Sequence, residues 1–65
     1  MTNRHTEALR EAVRNAQWAV DRYRADKEAA RTADDSSAFF SAAGRLDEAI
    51  LRLRSASERL ERWNR

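Results

Sequence analysis

The side chains with chemistry to offer are few, and their spacing does not suit catalysis. His5 is the only histidine, and a hydrolytic triad needs an imidazole held by an orienting group beside a nucleophile. Asp34-Asp35 and Asp47-Glu48 are adjacent pairs, and neighbours in sequence point in different directions on a helix or turn, so they do not form a shared carboxylate site. A di-iron centre in a helical bundle needs inward-facing Glu-x-x-His pairs. Here the residue three before His5 is Thr2, and no acidic residue falls on the apolar stripes described below. Cysteine is absent, which removes thiolate ligands and disulfides. The single glycine, Gly44, leaves no phosphate-cradling loop. This inventory predicts no catalytic residue, no metal, no cofactor and no small-molecule substrate.

Two polar patterns remain. The first is a row toward the C-terminal end, Ser41, Arg45, Glu48, Arg52, Ser55, Arg59 and Arg62, in which Arg45, Arg52 and Arg59 recur every seven residues, about 10.5 Å apart on a helix. Such a row suits phosphates or an acidic protein face, with affinity that falls as salt rises. It equally suits a solvated face laced by the pairs Glu48 to Arg52, Glu58 to Arg62 and Glu61 to Arg65, each worth a few tenths of a kcal/mol. The second pattern is Trp18, aligned with Ala8, Ala25 and Ala29, with Arg14 and Arg22 one turn to either side. The arginines can cover the indole as cation-π neighbours, or the three can anchor a partner, since Trp and Arg are enriched at interface hot spots.

The elements that position these residues are helices. The chain has 65 residues, no proline and one glycine, so little interrupts a helical hydrogen-bond ladder. One stripe runs Leu9, Val13, Ala16, Val20, Tyr23, Lys27, Ala30 and a second runs Phe39, Ala43, Leu46, Ile50, Leu53, Ser57, Leu60. Both alternate steps of four and three, the period of a coiled-coil seam. Small residues accompany them, Ala12 and Ala19 on the first segment, Ala42, Ala49 and Ala56 on the second, where Trp63 completes the row. Lys27 and Ser57 are the polar interruptions; lysine can bury its stem and lift its ammonium to water. Between the stripes lies Arg31-Thr32-Ala33-Asp34-Asp35-Ser36-Ser37, a cluster of cap and turn residues able to accept the unpaired amides at a helix start. Thr2 or Asn3 is the corresponding cap for the first helix.

The prediction is an all-α, two-helix antiparallel hairpin forming a single domain over residues 1–65, with helices over about 3–31 and 37–64 and a turn over about 32–36. That register brings Leu9 toward Leu60, Val20 toward Leu46 and Ile50, and His5 toward Trp63, which closes the open end. Phe40 reads as packing at the tip and Leu51 as a lone exposed apolar residue. Gly44 is either a tolerated weak spot of about 1 kcal/mol in the second helix or a sign of a longer tip.

The 13 basic and 11 acidic residues leave a formal charge of only +2, too balanced to identify a polyanion binder by composition. The apolar runs are far shorter than the roughly 20 residues of a membrane span, so the expected setting is the cytoplasm and no membrane partner is expected. One stripe per helix encloses little apolar surface, and the area-minus-entropy balance of so small a domain comes out near zero. Self-association through Leu9, Val13, Val20, Tyr23, Phe39, Leu46, Ile50, Leu53 and Leu60, most simply as a homodimeric four-helix bundle, is therefore expected. The same stripes could instead dock on a partner protein's helix.

The expected function is a non-enzymatic protein-interaction module, an oligomeric adaptor, regulator or assembly component, with Arg14, Trp18 and Arg22 contacting the partner. The alternative is a nucleic-acid-binding regulator using Arg45, Arg52, Arg59 and Arg62. In architecture alone, a hairpin of this length that pairs into a four-helix bundle resembles the Rop-type plasmid copy-number regulators. The resemblance spans the whole chain without a shared motif. It implies RNA binding across one face of a dimer, although a fold does not fix a function.

Overall fold

The computed structural model describes residues 4–63, which form α1 (Arg4–Thr32) and α2 (Ser36–Trp63). The two run antiparallel as a hairpin 51 × 15 × 11 Å in extent. The observed turn is shorter by one residue at each side than the 32–36 expected from composition, because Thr32 and Ser36 are taken into the helices. The anticipated caps Thr2 and Asn3, the helical ends at residues 3 and 64, and Arg65 lie outside the described residues.

The turn is specified by backbone geometry. Asp34 adopts the left-handed conformation at φ 56°; its amide donates to the Arg31 carbonyl at 3.1 Å, and the Asp35 amide donates to the Ala30 carbonyl at 2.9 Å. These are the two hydrogen bonds of a Schellman motif, which satisfy carbonyls left over at a helix end. Aspartate occupies the position that glycine usually fills. Asp35 then starts α2: its Oδ1 accepts the Ala38 amide at 3.1 Å, the N-cap hydrogen bond to the third helical residue. Thr32 Oγ1 meanwhile donates to the Glu28 carbonyl at 3.0 Å. Of the cap candidates in the sequence, Asp35 therefore carries the cap and Asp34 the reversal.

The core is a thin strip centred on Val20, Leu46 and Ala49, against which Ala19, Tyr23 and Leu53 pack. Ala30 and Ala42 are buried nearer the tip. On α1 every member of the expected stripe is at least half-buried. On α2 the stripe is rotated from the expected one. Ala42, Ala49 and Ala56 turn inward with Phe39, Ala43, Leu46, Leu53 and Leu60, while Ile50 and Ser57 are exposed. Both stripes share the aromatic and the leucines; they differ in which neighbour joins them. The alanines allow the two helical backbones to approach closely, so that the leucines bury, whereas a β-branched Ile50 in the contact would hold the helices apart. Val20 consequently packs with Leu46 and Ala49, and Ile50 is left 37% exposed at the edge of the seam.

The ends of the hairpin follow the predicted register. His5 and Trp63 meet edge-on with ring centroids 4.3 Å apart. Near the tip the Lys27 ammonium lies 5.3 Å from the Phe39 ring centroid, so this interruption of the α1 stripe finds a π face on α2 as well as solvent. Gly44 lies within α2, which excludes a longer tip.

Candidate interaction surfaces

Among the described residues there is no group of three or more histidine, cysteine or acidic side chains placed to hold a metal ion, and no helix is long and apolar enough to cross a membrane.

The arginine row projects along one flank of α2, where Arg45, Arg52, Arg59 and Arg62 are all exposed. Arg45 and Arg52 border a groove of about 380 Å³ between the helices, floored by Ala12, Ala16 and Ala19 of α1 and Ala49 and Ala56 of α2, with Tyr23 toward the tip. The groove exists because the alanine rows are too small to fill the space beside the leucines. Glu48 joins the arginines on its rim. Of the ion pairs expected to lace this flank, neither Glu48 with Arg52 nor Glu58 with Arg62 comes within 4.0 Å, and Glu61 to Arg65 reaches outside the described residues, whereas Glu28 and Arg31 on α1 meet at 3.9 Å. Among the described residues Arg45, Arg52, Arg59 and Arg62 thus form no ion pair, although Glu48 stands on the same rim. The sequence pattern identified the row; the groove beside it was missed, because its walls come from both helices and no stretch of one helix encodes it.

On the opposite side of α1, Trp18 is 63% exposed. The Arg22 guanidinium lies 5.4 Å from its ring centroid, and Arg14, the other expected neighbour, makes no such contact. The arginine shields one face of the indole and leaves the rest open to water. This constellation sits in the middle of a long helix, beside an exposed hydrogen bond from Gln17 Nε2 to Asp21 Oδ1 at 3.1 Å.

A third surface lies on the outer side of α2. Phe40 is 72% exposed and Leu51 63%, which corrects the reading of Phe40 as a residue packed in the tip: its ring meets Phe39 edge-on at 5.6 Å, but most of its surface faces solvent. Ile50, at 37%, lies on the shoulder between this side and the seam. The sequence carried a usable signal for this surface, since Phe40, Gly44, Asp47 and Leu51 are spaced by four, three and four residues, but the stronger stripe of leucines concealed it. No protein-family model, curated protein or solved structure matches this chain.

Proposed function

We propose that this chain is a non-enzymatic protein-interaction module, a helical hairpin acting as an adaptor, regulator or assembly component through its helix faces. The observation that carries this reading is the distribution of its large apolar side chains. Trp18, Phe40 and Leu51 are mostly exposed, while among the described residues no large side chain is fully buried. A monomeric soluble domain hides such residues or scatters them singly, and concentrates them on its surface where another molecule will cover them. Pairing into a four-helix bundle is the simplest way to supply that cover, and Trp18 with Arg22 is the anchor for a foreign partner.

Light scattering across a dilution series, with circular dichroism on the same samples, tests the reading. The expected result is a mass above that of one chain at high concentration that falls toward that of one chain on dilution. A monomer fully helical at every concentration would show that the faces need no self-cover. Retention of every protein partner by Trp18→Ala would remove the anchor.

The second reading, a nucleic-acid-binding regulator, is favoured by the row of exposed arginines on one flank of α2, which form no ion pair among the described residues. Replacing Arg45, Arg52, Arg59 and Arg62 together with Gln should abolish binding of bulk RNA and DNA at low salt if phosphates are the target. Unchanged binding in that variant eliminates the reading.

A further inference from the structure

The two outer edges of the hairpin carry opposite charge patterns, and neither is satisfied within the chain. On the edge of α1 turned away from α2 stand Glu7, Glu11, Arg14, Trp18 and Arg22, all exposed. Read from the open end toward the tip, this edge runs acidic, acidic, basic, apolar, basic. The edge of α2 turned away from α1, read in the same direction, presents Arg62, Arg59, Glu58, Leu51 and Glu48, again all exposed. It runs basic, basic, acidic, apolar, acidic, the complement of the first at every place. Among the described residues none of these charged groups forms an ion pair, whereas Glu28 and Arg31 do.

We infer that the α1 edge docks on the α2 edge of a second copy of this chain, set alongside the first in the same orientation, so that hairpins assemble laterally into a row of alternating antiparallel helices. This inference rests on the reading of the chain as an interaction module, and it gives the Trp18 edge to a second copy in place of a foreign protein. The register is the hairpin's own. Within the chain Val20 packs with Ala49 and His5 meets Trp63, and a neighbour unshifted along the helix axis keeps those levels across the new contact. Glu7 then stands level with Arg62, Glu11 with Arg59, Trp18 with Leu51 and Arg22 with Glu48, each within about 1.5–3 Å along the axis. Arg14 and Glu58 are about 4.5 Å apart along it, on the same side of the contact and within an arginine's reach. Size agrees with charge, because Phe40 comes over the small Ala25 and Ala29. Asp21 and Asp47 are brought level as a like-charged pair toward the margin, against four opposite pairs. Sliding the neighbour by one turn sets Glu7 level with Glu58 in one direction and Arg14 level with Arg59 in the other, so the charges select a single register. The contact is heterologous, and each added chain leaves an edge of each kind open, so assembly continues past two copies.

Charge exchange separates this contact from folding and from other modes of pairing. In sedimentation velocity at low salt the wild-type chain is expected to form species larger than dimers as concentration rises, and these should shrink as salt is added. Glu11→Arg and Arg59→Glu each set like charges at one level and should raise the concentration needed for assembly by about fivefold. The chain carrying both exchanges restores the pair with its signs inverted and should recover most of that loss. Helical dichroism of all three should match the wild type, since both positions are exposed. A second variant carrying Ala25→Cys and Gly44→Cys tests the geometry, because the register brings these positions level and a Cβ added at Gly44 meets nothing within its own chain. On oxidation it should give a covalent ladder of dimers, trimers and longer products. The chain has no native cysteine, and the two positions lie on opposite edges of one hairpin, too far apart for a bond within it. Single exchanges without effect, a double exchange that recovers nothing, or a cysteine pair that stops at dimers would each overturn the inference and leave the module reading in place, with pairing assigned to another face. A wild-type chain that stays monomeric at millimolar concentration would overturn the inference together with self-association of any kind.

Discussion

The inward and outward sides of α2 make opposite use of their residues. Inward, the helix presents alanines, Ala42, Ala49 and Ala56, between its leucines, and Val20 of α1 is left only 3% exposed as a result. Outward, it presents the bulkier Phe40 and Leu51, and both remain mostly in water. In a two-helix protein, burial therefore does not follow side-chain size. It follows which side lets the backbones close, and small residues decide that. The large residues on the other side are available to a partner molecule.

Substitutions on the two sides should give very different results in thermal or urea unfolding followed by circular dichroism. The largest effect is expected inward, where Leu46→Ala removes the largest side chain of the buried cluster and should cost about 2–3 kcal/mol. In a hairpin with so thin a core, that is enough to lose most of the helical signal. If Leu46→Ala melts no earlier than the wild type, the seam is not where the stability lies. Asp35→Ala, which removes the cap without touching either side, should cost about 1 kcal/mol. Asp34→Gly should act in the reverse direction and stabilise by up to about 1 kcal/mol, because glycine adopts the left-handed conformation of this turn without the steric penalty borne by an L side chain. The smallest effect is expected outward: in dilute samples, where pairing is absent, Phe40→Ala and Leu51→Ala should each shift stability by less than about 0.5 kcal/mol. A loss as large as that of Leu46→Ala would mean that the outer stripe is part of the monomer's own core.

Much of the hairpin was legible in advance. The four-three period of both segments, the absence of proline and the acidic cluster at the turn located the helices within a residue or so and set the antiparallel register that brings His5 to Trp63. The α1 stripe was read correctly at every position. The α2 stripe differed at Ile50 and Ser57, because these obey the same period as Ala49 and Ala56. Periodicity defines a broad apolar sector but leaves its centre free, and hydrophobicity alone favoured isoleucine over alanine. The arginine row was visible as a pattern, yet the absence of ion pairs from Glu48 to Arg52 and from Glu58 to Arg62 was not, since i to i+4 spacing permits an ion pair without imposing the rotamers that make one.

What the sequence by itself determined is local and one-dimensional: two helices, their ends, the position of the reversal and the residues that share a face, all set by propensity, capping and a period that acts over a few turns. Only the tertiary structure decided how far each helix is rotated about its axis, and with it the burial of Ala49 in place of Ile50, the groove between Ala16 and Arg52, and the outward placement of Phe40, Gly44 and Leu51. Those features depend on the distance between two backbones, and that distance is fixed by the smallest side chains on each helix meeting across the contact.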